Sequence, residues 1–131
     1  MNDRFKFRVW SKQSNSYIKE KMFYIDKFGG LFKYEKSKST VYINADSPYI
    51  MCLCGDKYVC EQCTGLKDKN GKLIYENDLI KIDDDVAVIK WSDYYARFML
   101  ESQEDIFDFE TTYAEECEVI GNIHTENIND M

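Results

Sequence analysis

A mainly β fold, closed as a small barrel or sandwich, is what this sequence predicts. Three observations carry that expectation. Ten Tyr, eight Phe and two Trp stand among 131 residues, and aromatic and β-branched side chains suit the half-buried, pleated surface of a strand. Short apolar runs recur at close spacing, joined by Gly, Asn and Asp turns. Hydrophobic residues make up 44% of the chain and Pro48 is the only proline, so a sizeable core is within reach and the composition carries no signature of disorder.

The elements follow in order. Phe5, Phe7 and Val9 alternate with Lys6, Arg8 and Trp10, which predicts a strand over residues 4–10. Residues 11–16 are polar and turn-like. Strands at 22–25 and 31–34 flank Gly29-Gly30 and read as a hairpin with a longer loop. A charged loop at 35–39 leads to a strand at 41–43. Residues 46–49, with Pro48, turn into a strand at 49–53. Gly55 and Asp56 then turn the chain into 58–63. Asp68, Asn70 and Gly71 mark a tight hairpin, where Asn-Gly supplies positive φ values. Leu73, Ile74 and Tyr75 follow it. Glu76, Asn77 and Asp78 make a second tight turn, with Asn77 expected in the left-handed region that Asn tolerates. Strands are expected at 79–82, 86–91 and 97–101, separated by a tip at 83–85 and a turn at 92–95. Residues 102–116 are acidic and interrupted, with at most a short helical turn near Ala114–Cys117. A last strand over 118–124 closes the set, and 125–131 form a tail. The turn near 55–57 is the expected boundary between an N-terminal β subdomain (1–57) and a barrel subdomain (58–124).

Charge is divided unevenly. The net charge is −7, but residues 1–50 carry ten Lys/Arg against five Asp/Glu, and residues 51–131 carry seven against nineteen. The two parts therefore hold +5 and −12. Such a split can dock basic surface on acidic surface, within one subunit or between neighbours, and steers association more than it sets affinity. Two solvated faces are the plainer explanation. The N-terminus has no apolar stretch of a secretory signal. The longest apolar run, Tyr49-Ile-Met-Cys-Leu-Cys54, is too short to cross a bilayer. A cytoplasmic protein with no membrane partner is expected. Five cysteines are an odd number, so a disulfide framework is not expected.

The run Thr64-Gly-Leu-Lys-Asp-Lys-Asn-Gly-Lys-Leu-Ile-Tyr-Glu-Asn-Asp-Leu-Ile-Lys81 closely resembles the signature of the YopX family of phage and prophage proteins. Phe5-Lys-Phe-Arg-Val-Trp10 resembles the family's opening, and Val119-Ile-Gly-Asn-Ile123 resembles its close. Two positions depart from the family pattern: Ser11 stands where Asp is usual, and Asn77 where Gly is usual. The resemblance implies an SH3-like barrel in the C-terminal part with the N-terminal strands packed on it. It also implies homo-oligomers, ring-like or otherwise. It carries no catalytic residues over.

Several groups of residues could carry chemistry. Cys52, Cys54, Cys60 and Cys63 are candidate zinc ligands, because paired thiolates make closed structural sites. Five residues between the pairs is far less than a zinc ribbon leaves, and Cys60 and Cys63 would point to opposite faces of a strand. Small buried apolar side chains are the competing reading, so no metal is assigned. His124, the single histidine, ends the last strand and reads as a surface residue. Glu76 and Asp78 could pair as acid and base or hold a cation, but short acids in turns commonly accept backbone N–H bonds. Together with Gly65, Asp68, Asn70, Gly71 and Asn77 they read as turn chemistry. No Gly-rich stretch is followed by Lys-Ser or Lys-Thr, so nucleotide hydrolysis and a cofactor are not expected.

Function is left open among three readings. The first is a non-catalytic, homo-oligomeric interaction or scaffold protein of a phage or prophage. The second is an acidic regulator: residues 101–118 hold eight acids, which could mimic DNA and engage a host nucleic-acid-binding protein. The third is a small metal-dependent enzyme or nucleic-acid-binding module. Arg4, Lys6 and Arg8 interleave with Phe5, Phe7 and Trp10, as in a stacking surface, but the acidic balance of the chain opposes phosphate.

Overall fold

The computed structural model describes residues 3–19, 23–25, 31–33 and 58–125. The chain divides into two compact units, one made of Met1–Arg8 with Glu61–Met131, the other of Val9–Cys60. The mainly β class is borne out. Eleven strands are described, with one short 3-10 turn (Asp3–Phe5) and one short helix, α1 (Thr111–Glu116). No described helix is long and apolar enough to cross a membrane.

In the first unit, five strands form an antiparallel sheet. They are β7 (Asp78–Ile82), β8 (Asp85–Ser92), β9 (Arg97–Glu101), β10 (Ile106–Asp108) and β11 (Glu118–Asn122), in the order β10-β9-β8-β7-β11. The sheet curls into half a barrel. Alternation explains which face is buried, because residues two apart share a face. Ile80 faces Ala87 across one ladder, and Ile89 faces Leu100 across the next. Ile80, Ile89 and Leu100 join Ile74, Ala114 and Cys117 in the buried core. The α1 helix contributes Ala114 to this core, and its following residue, Cys117, contributes the thiol. Leu79, Val88 and Met99 are buried as well. They lie on the opposite face, so the middle of the sheet is covered on both sides.

The long strand β5 (Tyr58–Lys67) pairs with β6 (Leu73–Tyr75) across the hairpin at 68–72. Their register shifts between Cys63 and Lys67. Gly65, at φ +84°, sits in that irregularity, and a Cβ there would lie 3.3 Å from the Arg4 Cβ. The Thr64 hydroxyl fills the gap in the ladder, donating to the Ile74 carbonyl at 2.8 Å and accepting the Leu66 N–H at 3.1 Å.

In the second unit, Trp10 and Ser11 of β1 (Phe7–Ser11) pair with Tyr17 and Ser16 of β2 (Ser16–Tyr17). Trp10 meets Tyr17 edge to face at 4.9 Å. The strands β3 (Phe23–Ile25) and β4 (Leu31–Lys33) form the expected antiparallel hairpin, with Tyr24 opposite Phe32. The strands expected at 41–43 and 49–53, the glycines at 29–30 and the turn at Pro48 lie outside the described residues.

Three local expectations are corrected. Residues 4 and 5 belong to the 3-10 turn and not to the first strand. The Asp3 carbonyl accepts the Lys6 N–H at 3.0 Å and the Asp3 carboxylate meets the Lys6 ammonium at 2.9 Å, which closes the turn. The hairpin at 68–72 uses only one left-handed residue, Gly71 at φ +82°. The Gly71 N–H bonds the Asp68 carbonyl and the Asp68 N–H bonds the Lys72 carbonyl, a turn closed by a glycine bulge. Finally, the acidic stretch contains a strand. Ser102 holds a tight turn, its hydroxyl accepting the Asp105 N–H at 3.0 Å, and the turn brings β10 back onto β9.

Candidate functional site

Among the described residues, two buried carboxylates, Glu61 and Asp78, converge on one arginine. Arg8, on β1, reaches two carboxylates at once: its Nε donates to Glu61 Oε1 at 2.8 Å and its Nη2 to Asp78 Oδ1 at 2.7 Å. Glu61, on β5, is fully buried. Its other oxygen accepts the Asn77 side-chain N–H at 2.7 Å and lies 2.7 Å from His124 Nε2. A carboxylate only accepts, so the ring presents Nε2–H to it. Lys90, on β8, donates to Asn77 Oδ1 at 3.1 Å. Asp78 Oδ2 accepts the Tyr75 N–H at 2.8 Å. The Arg8 guanidinium also lies over the Tyr75 ring, 4.7 Å from its centroid.

Asn77 is the pivot of this cluster. It holds φ 69°, its N–H bonds the Ile89 carbonyl at 2.8 Å, and its carbonyl accepts the Ile123 N–H at 3.1 Å. The turn is thus tied to β8 and to the end of β11, while its side chain spans Glu61 and Lys90. Glu76 plays a lesser part: its Oε1 accepts the Gln62 N–H at 3.5 Å. Burial pushes the carboxyls of Asp78 and Glu76 above the ordinary carboxylate value. For Asp78, the Arg8 charge and the Tyr75 N–H offset only part of that cost. For Glu76, the Gln62 N–H offsets part.

The hairpin at 68–72 carries a separate latch. Asp68 Oδ1 accepts the N–H groups of Asn70 and Lys72, each at 2.9 Å, and Oδ2 accepts the Val119 N–H at 2.9 Å. Burial would raise the Asp68 carboxyl, but these backbone donors outweigh it and hold it below its usual range. The Lys69 N–H bonds the Cys117 carbonyl at 3.0 Å. The hairpin at 68–72 is thereby fixed to the start of β11.

Three cysteines are described, Cys60, Cys63 and Cys117. Cys63 is buried, accepts the Gly65 N–H at 3.4 Å, and has its thiol pushed up by burial. Cys60 is half-buried, and burial pushes the Cys117 thiol up to about 11. Both shifts disfavour the thiolate that a metal or an electrophile needs. Cys52 and Cys54 lie outside the described residues. Among the described residues no group of three or more His, Cys, Asp or Glu could hold a metal ion.

His124 corrects an expectation: it is a half-buried partner of Glu61 and not a terminal surface residue. The sequence singles out neither Glu61 nor Lys90, it offers Arg8 only as part of a stacking surface, and it offers His124 only as a surface residue. One signal for two of them was present, since Arg8 lies in the opening motif and His124 adjoins the closing one. The cluster is where the three motifs meet. Its chemistry is mutual satisfaction. Among the described residues no buried side-chain nitrogen or oxygen lacks a hydrogen-bond partner.

Large aromatic groups are instead found at the surface. Phe5, Trp91, Tyr94 and Tyr95 are exposed, as are Ile106 and Phe107 on β10. Trp91 packs edge to face on Phe98 at 5.1 Å. Arg97 lies 5.5 Å from the Tyr95 ring centroid and pairs with Asp108 at 3.0 Å.

A family model described as YopX protein matches residues 6–128. No curated protein matches the chain. Among solved structures, the X-ray crystal structure of protein YopX from Bacillus subtilis is similar, with a TM-score of 0.54 at 20% identity. The match covers 96% of this chain and 96% of that one. At that identity the likeness speaks to the fold alone.

Proposed function

Starting from the premise that this chain belongs to the YopX family, we propose that it is a non-catalytic interaction protein that assembles with copies of itself. We read its curled sheet as an SH3-like barrel used as a scaffold, in the cytoplasm of a cell that carries a phage or prophage. The observation that carries this reading is the contrast between the two kinds of site. The buried charges satisfy one another and brace turns, whereas aromatic side chains that could have joined a core stand on the surface. Aromatic residues and Arg are enriched in protein interfaces, and a few of them supply most of the binding energy. The division of charge between residues 1–50 and 51–131 gives a head-to-tail contact its electrostatic complement. Such a contact makes a ring where its rotation closes. Light scattering on the purified chain tests this. Assembly in low salt that weakens in high salt is expected, and a strictly monomeric particle in both overturns the reading.

A second reading is favoured by one observation. Glu101, Glu104, Asp105, Glu110, Glu115 and Glu116 are all exposed around β10 and α1. An acidic face of this kind suits a regulator that mimics DNA before a host nucleic-acid-binding protein. Pull-down from host lysate with the intact chain and with residues 101–118 neutralised separates the readings. Recovery of the same partners by both removes the mimic.

A further inference from the structure

We propose that the acidic edge strand β10 of one copy docks, by Ile106, into the basic-aromatic groove of a second copy; this rests on the self-assembly reading above and names its surfaces.

The groove lies in the first unit and has a volume of about 850 Å³. Phe5, Trp91 and Phe98 give it aromatic walls, Leu66 and Phe109 add apolar lining, and Arg4 and Arg97 stand at it against the single acid Glu76. Phe5 is 63% exposed and Trp91 45% exposed, so these two rings stand open at it, while Leu66, Phe98 and Phe109 are half-buried against the core. The Arg4 guanidinium lies 5.4 Å from the Phe5 ring centroid. Two guanidiniums beside aromatic rings favour an occupant that brings an apolar group together with carboxylates.

The strand β10 has that composition. The run Glu104-Asp-Ile-Phe-Asp-Phe-Glu110 sets Ile106 between acids. Ile106 is 65% exposed, and Asp108, two residues on, shares its face of the strand. The strand is also the end of its sheet, and an edge strand presents a row of backbone N–H and C=O groups to a partner. Symmetric antiparallel pairing of β10 with its own copy about Ile106 would set Glu104 opposite Asp108 of the second copy, and about Phe107 would set Glu104 opposite Glu110, like charges in either case. A basic receptor removes that conflict. The Arg97–Asp108 pair within one chain, at 3.0 Å with both side chains partly exposed, shows an acid of β10 already seated on an arginine of the groove. An exposed pair of this kind is worth little, so exchange for a partner's carboxylate costs little. The contact is heterologous: strand meets groove, and each copy keeps one of each to offer.

Two variants test it by complementation. Trp91→Ala with Arg4→Glu blocks the groove, and Ile106→Ser with Phe107→Ser blocks the strand. All four side chains are exposed, and circular dichroism checks that the variants fold. Each variant alone should lose self-association by about tenfold or more, the loss expected of an interface anchor. Their equimolar mixture should form a dimer, because the intact groove of one meets the intact strand of the other. A synthetic peptide of residues 103–110 should bind the wild-type chain and not the groove variant, a measurement that needs no folded strand variant. Wild-type oligomers unaffected by both variants overturn this contact while leaving self-assembly standing. A monomeric wild type that still binds the peptide overturns self-assembly and leaves the groove's preference. Failure of the peptide to bind, or binding of a single-stranded oligonucleotide in its place, overturns the inference.

Discussion

Glu61 accepts hydrogen bonds from Arg8 and Asn77 and a third contact from His124, with no exposed surface of its own. Arg8 in turn holds both Glu61 and Asp78. Removing one member of a buried ionic group leaves the others uncompensated, which costs about 3–5 kcal/mol. Arg8→Met should therefore lower unfolding stability by about that amount in urea titration, and a loss under about 1 kcal/mol would show the cluster to be dispensable. His124→Ala removes one contact from Glu61 and should cost less than Arg8→Met in the same titration. Asp68 supports a pH prediction. Its folded carboxyl lies below the ordinary value of 3.8, so the unfolded chain takes up the proton first as pH falls. The stability it contributes is present above that ordinary value and is lost as pH falls through the lower folded one. The gap in melting temperature between wild type and Asp68→Asn should be widest near neutral pH and should close in strong acid. A gap independent of pH would contradict the latch.

At the scale of elements, the turns were legible and the partnerships were not. Asn77 has the left-handed backbone that its type suggested, and Gly71 supplies the one positive φ of its hairpin. A Cβ at Gly71 would meet nothing within 4 Å, so Gly71→Val should cost only backbone strain, about 1–2 kcal/mol. Gly65→Ala meets Arg4 as well and should cost more than Gly71→Ala in thermal melts. Equal losses would mean that the Arg4 contact yields freely. Asn77→Gly keeps the backbone but strips a partner from Glu61 and another from Lys90, and should still lose about 1–3 kcal/mol. Strands such as β7, β8 and β9 could be read because their apolar residues and bounding Asp, Asn and Ser turns are local. The strand β10 could not, since three residues flanked by acids carry no alternation to detect. The buried cluster was hidden for another reason. Arg8 and Glu61 are 53 positions apart and Glu61 and His124 are 63 apart, and nothing in one sequence links residues at such separation.

For the whole molecule, the distribution of charge and of exposed aromatic groups decides the argument. A chain with net charge −7 repels its copies unless a basic surface meets an acidic one. A contact of that kind weakens as salt shortens the Debye length from about 10 Å at 0.1 M to about 3 Å at 1 M. Apolar burial at the same contact does not weaken with salt in this way, so the salt response reports the electrostatic share. Two polar groups brace the sheet from within: the buried cluster ties the turn at 76–78 to β8 and to the end of β11, and the Asp68 latch ties the hairpin at 68–72 to the start of β11. Chromatography with light scattering on the intact chain, in low salt and at about 1 M salt, is the most direct test. Particles of several times the chain mass in low salt, shrinking at high salt, are the predicted result. A single chain mass at every salt and protein concentration would contradict the account.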